Sequence, residues 1–286
     1  METLTMHVPD NFNLFLFGDG HEGSVLRHDK GWEQLLTTML NEYDGLPPEC
    51  NFGIDHGDII EAIMVDDKRY SMETTKESSI LSQINNAVRQ RERIKDKLIT
   101  VLDGNHPYKL RKFGDITKTL CERLDAPYGT YSCIITYKSK GGATLFKHYV
   151  HHGFGSLKSS ANPYMRKVLN KQLSLRNKFS EKFGDCLLNS MGHTHQLIVV
   201  DPIHQPYLTT DKDGKLEMKY TKPSKRSGYI DPDHRWYVNT GGFYRAYEQG
   251  ITSYIEMGGY NPVELGFLVA KIRDRNITDI DKIIVG

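Results

Sequence analysis

The sequence predicts an α/β fold in which two β-sheets pack on each other and carry helices on their outer faces. Three observations predict it. Strand-length apolar runs alternate with helix-period segments through the first 125 residues. Beyond that point the chain is rich in β-type sequence, interrupted by one long helical segment. The composition, 38% hydrophobic and 10% aromatic, can fill a sizeable core. Length alone would also allow two domains. No repeat or low-complexity linker divides the chain, however, so residues 1–286 are read as a single domain.

The elements follow in order. Asn13-Leu14-Phe15-Leu16-Phe17 is a continuous apolar run closed by Gly18, the pattern of a strand buried on both faces. Residues 31–43 read as a helix with Trp32, Leu35, Leu36, Met39 and Leu40 on one face. Pro47-Pro48 ends that region, and Asn51–Asp55 is the next strand. A long amphipathic helix is expected over 74–97, marked by Ile80, Leu81, Ile84 and Val88. Residues 98–102 form a third strand, and Pro107 can open a helix running to about 124. Residues 131–137 and 144–150 read as a hairpin around Gly141-Gly142. A basic helical segment over 161–183 precedes a short strand in 186–191. Further strands are expected at Leu197–Val200, 207–210, Leu216–Tyr220, 235–239, 253–257 and 265–272. The helical insertions thus fall at about 62–97 and 156–183.

Charge and cysteines exclude several classes. A net charge of +1 gives no global drive towards nucleic acid or membrane, so any basic partner surface must be local. Four widely spaced cysteines without a CxxC pair fit reduced thiols better than a disulfide framework. No apolar run approaches the ~18 residues of a membrane helix, and residues 1–10 lack the pattern of a secretory signal. The expectation is a soluble cytoplasmic protein with no membrane partner.

The chemistry gathers just past the strands. Gly192-His193-Thr194-His195 places two histidines one residue apart, so that both can face one volume. Upstream stand Asp19-Gly20-His21, Gly57-Asp58, Gly104-Asn105-His106 and His151-His152-Gly153, each after an apolar run. Singly, each has an ordinary structural explanation. Asp19 and Asp58 could cap helices, and Asn105 could be a turn residue. Together they supply carboxylates, an amide and imidazoles at the carboxyl ends of strands, where open α/β sheets collect functional groups. Imidazole with carboxylate suits divalent Mn, Zn, Fe or Ni. So many donors suit two ions better than one.

The ordered set Asp-x-His, Gly-Asp, Gly-Asn-His, His-Gly, Gly-His-x-His resembles the calcineurin-like metallophosphoesterase superfamily, including phage-encoded members. The motifs run from Asp19 to His195, about two thirds of the chain. The resemblance implies a four-layer α/β/β/α sandwich of two mixed sheets. It implies that Asp19, His21 and His195 bind one metal, that Asp58 bridges, and that Asn105, His152 and His193 bind the second. His106 would be the catalytic group beside the reacting phosphate. Two divalent ions are implied, Mn²⁺ first, with Zn²⁺, Fe²⁺, Ni²⁺ or Mg²⁺ as alternatives. The chain departs from the common pattern at Pro107, where an acid usually follows Asn-His, and at Glu61, in place of a frequent aspartate. It also lacks the arginines of the Ser/Thr protein phosphatase branch: Ile60-Glu61-Ala62 and Pro107-Tyr108 stand there instead. Of the pair His151-His152, alternation allows only one to face the metals, and the following glycine favours His152.

One stretch is strongly one-signed. Residues 156–183 hold Lys158, Arg166, Lys167, Lys171, Arg176, Lys178 and Lys182 against the single acid Glu181. Lying between two ligand motifs, it is expected to border the cleft, with Arg166, Lys167 and Lys171 on the substrate. The expected activity is phosphate-ester hydrolysis through a metal-bridging hydroxide, by a phosphodiesterase or nuclease acting on nucleic acid or nucleotides. Alternatives are a nucleotidase-like phosphomonoesterase and an inactive metal-binding interaction protein.

Overall fold

Strand β2 (Phe12–Phe17) is buried along its whole length because it has a layer on each face. Phe12, Leu14 and Leu16 point into a core between two sheets, whereas Phe15 and Phe17 point towards helices. The continuous apolar run is the sequence form of that position. A computed structural model describes residues 1–222 and 228–286.

Around β2 lies a five-stranded mixed sheet. Its parallel half continues through β3 (Asn51–Asp55) and β4 (Leu98–Val101). Its antiparallel half is β12 (Gly266–Arg273) and β13 (Asn276–Ile284), in the order β13-β12-β2-β3-β4. A six-stranded mixed sheet packs on it, in the order β1-β5-β6-β7-β11-β8. These strands are β1 (Glu2–Val8), β5 (Ser132–Ser139), β6 (Thr144–His151), β7 (Leu188–Met191), β11 (Trp236–Thr240) and β8 (Leu197–Val200). Ile135, Tyr137, Val150, Leu188 and Val238 meet Leu14, Leu16 and Leu268 in the shared core. An exposed ribbon, β9 (Pro206–Thr210) with β10 (Leu216–Tyr220), stands apart.

Helices complete the layers. α1 (Asp29–Leu40), α2 (Ile80–Arg91) and α4 (Ile116–Leu124) cover the five-stranded sheet through Trp32, Leu35, Met39, Ile84, Ala87 and Leu120. α5 (Tyr164–Phe179) covers the other sheet, setting Leu175 and Phe179 against Tyr149, Met191 and Ile198. Helix, sheet, sheet and helix therefore stack in that order.

Several expectations are corrected. α1 stops at Leu40 because Asp44 and Gly45 take left-handed φ of 50° and 73°, and Tyr43 and Leu46 exchange backbone bonds across them. α2 starts at Ile80, where the Ser79 side chain caps it, so 62–79 is turns and the helix expected from 74 is shorter. The helix expected over 107–124 is broken: α3 (Asn105–Tyr108) is one turn, Gly114 has φ 128°, and Asp115 caps α4 afresh. Residues 253–257 are not a strand but the short helix α6 (Tyr254–Met257), capped by Ser253. β1 and β13 were not expected at all.

Two buried polar contacts tie the layers. Arg91 on α2 meets Asp55 at the end of β3, Nη2 to Oδ2 at 2.7 Å, with side chains 1% and 0% exposed. Its guanidinium also lies over the Trp32 ring at 4.6 Å. Between the sheets, Ser190 Oγ lies 2.7 Å from both His56 Nε2 and His148 Nε2. Replacing Asp55 with alanine would leave the Arg91 charge buried without a counterion. Asp55→Ala is expected to destabilise the fold by about 3–5 kcal/mol, the usual penalty for breaking a buried pair. Urea unfolding reads it; a loss below about 1 kcal/mol would mean that the pair is not a structural tie.

Candidate metal centre

The loops leaving β2, β3, β4, β6 and β7 converge at one end of the two sheets. The first two keep pairing after their strands end. Asp19 N donates to the Gly57 carbonyl at 2.8 Å, His21 N to Asp58 at 2.9 Å and Glu22 N to Ile59 at 2.9 Å. Glu61 N then donates back to the Glu22 carbonyl at 2.9 Å. In this strip and in the loop after β7 the backbone is strained. Asp19, His21, Asp58, His193 and His195 all have left-handed φ, between 44° and 68°. Such residues concentrate where a side chain must be aimed against the local preference. Two glycines allow the loops to close: a Cβ at Gly104 would lie 2.1 Å from Asp58 Oδ1, and one at Gly192 would lie 2.8 Å from Asp19 Oδ2.

Among the described residues three groups of donors result; one, His21 with Glu61 and His106, shares His21 with the first of the two that hold the expected ligands. Asp19, His21 and His195 offer atoms all within 4.8 Å of one another, as do Asp58, His152 and His193. His21 Nε2 and His195 Nε2 face each other at 3.3 Å, and Asp19 Oδ1 is 3.4 Å from His195 Nε2. In the second group His152 Nε2 is 3.4 Å from Asp58 Oδ2 and 3.0 Å from Asn105 Oδ1. Asp19, His21, Asp58 and His152 are fully buried, while Asn105, His193 and His195 are partly open. The structure thus brings together all seven residues expected to hold metal.

The surrounding contacts aim these donors. His21 Nδ1 donates to Glu61 Oε2 at 2.7 Å, which turns His21 Nε2 inward. His152 Nδ1 donates to the His56 carbonyl at 2.7 Å and leaves its Nε2 to the centre. Such outer contacts fix the tautomer and orientation of a ligating imidazole. The carboxylates are held by backbone: Asp19 Oδ2 accepts from His193 N at 2.8 Å, and Asp58 Oδ1 from His106 N at 2.8 Å. Asp19 Oδ1 is buried with no hydrogen-bond partner.

Electrostatics favours cations here. Burial raises the Asp19 carboxyl to about 7. Burial also pulls the His152 imidazole down, but Asp58 and Asp19 outweigh it and raise it to about 9. Burial, then the nearby His152, lowers His193 to about 4. Buried carboxylates facing converged imidazole nitrogens need positive charge between them. An orphaned Asp19 oxygen and this N/O donor set fit divalent ions of the Mn, Zn or Fe type.

Other side chains fall as follows. His106 Nδ1 donates to the Glu61 carbonyl, and its Nε2 accepts from Arg69 Nη1 at 3.2 Å. That supplies the partners Pro107 could not. His151 is turned away, its Nδ1 accepting from Gly153 N at 2.7 Å and its ring among Tyr131, Tyr149 and Phe154. His56 is buried, both ring nitrogens engaged. The expected basic wall is only partly a wall. A cleft of about 1010 Å³ opens over the centre, and Lys158 and Lys171 line it, but Arg166 and Lys167 do not. Arg176 pairs with Asp233, and Lys178 and Lys182 sit over the Phe154 ring. Their places are taken by Lys68 and Arg69, from a loop with no charge signal in sequence. Lys68 and Arg69 are site residues that the sequence did not point to, and Glu61, noted there only as a departure from the family pattern, orients His21. Glu61's spacing after Asp58 was its one clue; Arg69 had none.

No protein-family model matches the chain, and a search of curated proteins returns no match.

Two Mn²⁺ per chain are expected in a calorimetric titration of metal-free protein. His152→Ala should lower that number, whereas His151→Ala should leave it at two; the reverse result would reassign the pair. Asp19 and His152 hold protons up to about 7 and about 9, so metal must displace them. Binding should therefore release protons and tighten as pH rises through that range. Titration in buffers of different ionisation enthalpy reads the release, and its absence would contradict the assignment.

Proposed function

We propose that the chain is a dinuclear metal-dependent phosphoesterase that hydrolyses phosphodiesters in nucleic acid or nucleotides. The observation that carries this reading is the pair of three-residue donor groups, with Asp58 and Asn105 beside them, at the floor of a cationic cleft. Among the described residues Asp58 is the only acid lining that cleft, against Lys68, Arg69, Lys158 and Lys171. Four cations suit a substrate with more negative charge than the scissile phosphate alone.

Asp19, His21 and His195 would hold one ion, Asn105, His152 and His193 the other, and Asp58 both. Bound there, two divalent ions supply Lewis acidity and activate water near neutral pH. The protein's own groups do the rest. Asp67 grips Arg69 through Nε at 3.0 Å and Nη2 at 2.8 Å, and the guanidinium lies 5.5 Å over the Tyr254 ring. This leaves Nη1 for the cleft, where it can neutralise charge on a phosphate oxygen. His106 carries its proton on Nδ1, so Nε2 has a lone pair. When a phosphate draws Arg69 away, Nε2 is free to take up a proton from solvent, and the imidazolium so formed would deliver that proton to the leaving oxygen.

With saturating Mn²⁺, Asp58→Asn is expected to abolish hydrolysis of bis-p-nitrophenyl phosphate without unfolding the protein. Activity within tenfold of wild type would reject Asp58 as the shared ligand. His106→Ala should lower turnover by ~10²–10⁴-fold, the range for a positioned acid–base group, with metal content unchanged. A clear preference for p-nitrophenyl phosphate over the diester would replace this reading with a phosphomonoesterase.

A further inference from the structure

The segment that follows Asn105 and His106 has a composition that the metal centre does not use. Tyr108-Lys109-Leu110-Arg111-Lys112-Phe113 holds three cations and two aromatics in six residues. Leu110 is buried and anchors the segment at 5% exposed, while Tyr108 and Phe113 stay 47% and 66% exposed. Two of the three cations lie by the rings instead of projecting freely. The Arg111 guanidinium is 5.1 Å above Tyr108, and Lys112 Nζ is 4.9 Å above Phe113. Arg111 also pairs with Asp115 at 3.1 Å, and Lys109 approaches Asp67 at 3.6 Å. Lys112 has no ion pair among the described residues.

A second recess, about 690 Å³, opens beside this segment, bounded by Asn105, Tyr108, Lys109, Arg111, Thr130 and Tyr131. It holds no acid. Asn105 borders it and also borders the main cleft, so the two recesses share a residue of the centre. A substrate ending at the scissile phosphate would leave one of them empty. Exposed aromatics interleaved with cations are the surface that single strands use, because every base has a face to stack and every linkage a charge.

We propose that the Tyr108 to Phe113 segment is a platform for single-stranded nucleic acid, forming a second arm of the groove, so that a strand crosses the metal centre. This rests on the phosphodiesterase reading above and adds to it the substrate class and an internal mode of cleavage. A duplex keeps its bases stacked on each other and offers the tyrosine and phenylalanine nothing to hold.

The test pairs binding with cleavage. Fluorescence anisotropy measures the affinity of metal-free protein for a labelled 20-residue oligothymidylate. The double variant Lys112→Gln/Phe113→Ala, both exposed side chains, should bind about five- to hundredfold more weakly, as for a lost stack. The slope of log affinity against log salt should fall by about 0.7, one phosphate contact on a single strand. Mn²⁺-loaded wild type should also cut closed circular single-stranded DNA. Affinity changed less than twofold, or cutting confined to linear ends, overturns the platform. If the wild type still hydrolyses bis-p-nitrophenyl phosphate in that case, the phosphodiesterase reading stands without it. If the wild type hydrolyses no ester, both fall.

Discussion

The centre depends on a strip of backbone pairing that outlasts the strands it extends. Residues 19–22 and 57–61 exchange hydrogen bonds beyond the ends of β2 and β3, although neither run is extended throughout. The strip fixes Asp19, His21, Asp58 and Glu61 relative to each other before any side-chain contact is counted. It does so through left-handed residues, each costing roughly 1–2 kcal/mol. A loop free to relax would lose that arrangement. Here the Asp55 carboxylate, itself clamped by Arg91, accepts from Gly57 N at 3.0 Å and holds the start of the second run. The buried ion pair is therefore part of the support of the centre as well as of the core.

Much of this was legible in the sequence. The ligand motifs were, because each sits directly after a buried strand whose apolar run is unmistakable. Parallel strands then bring their ends together with little further information. The strand over residues 13–17 and the face of α1 follow from local periodicity, and the choice of His152 over His151 from the glycine after it. The misses have two kinds of cause, a local signal that was outweighed and a contact between residues distant in sequence. The Ser253 cap decides α6 against a strand, and nothing in an apolar-rich five-residue window announces it. β1 alternates Leu4, Met6 and Val8 with polar residues, a pattern too short at the chain's start to stand out from a loop. Arg69 reaches His106 from 37 positions away, through a loop whose path no periodicity describes.

Charge behaves in the same way. A near-neutral chain conceals a cleft with four cations and one acid, because the compensating acids are elsewhere. The segment that is most basic in sequence supplies only Lys158 and Lys171 to the cleft, no more than the Lys68-Arg69 loop does. A helix turns its cations all round, so α5 can offer the site only those on one side, and several of its lysines and arginines serve the fold instead. Sequence density of charge and spatial density of charge are different quantities.

The buried Ser190 hydroxyl shows how the two sheets are indexed. His56 Nδ1 donates to the Phe17 carbonyl at 3.1 Å, so its Nε2 can only accept. Ser190 must give its one proton to His56 and receive one from His148 Nε2. His148 Nδ1 is then a bare lone pair, which agrees with its having no partner. The three groups form a one-way chain from β6 through β7 to the residue after β3. Apolar faces can slide past each other by a residue and lose little, but this chain has a head and a tail. A slip would set two acceptors or two donors together in a dry interior. The sandwich thus carries an internal key that admits one alignment of its halves, and with it one relative position of the ligands that each half brings.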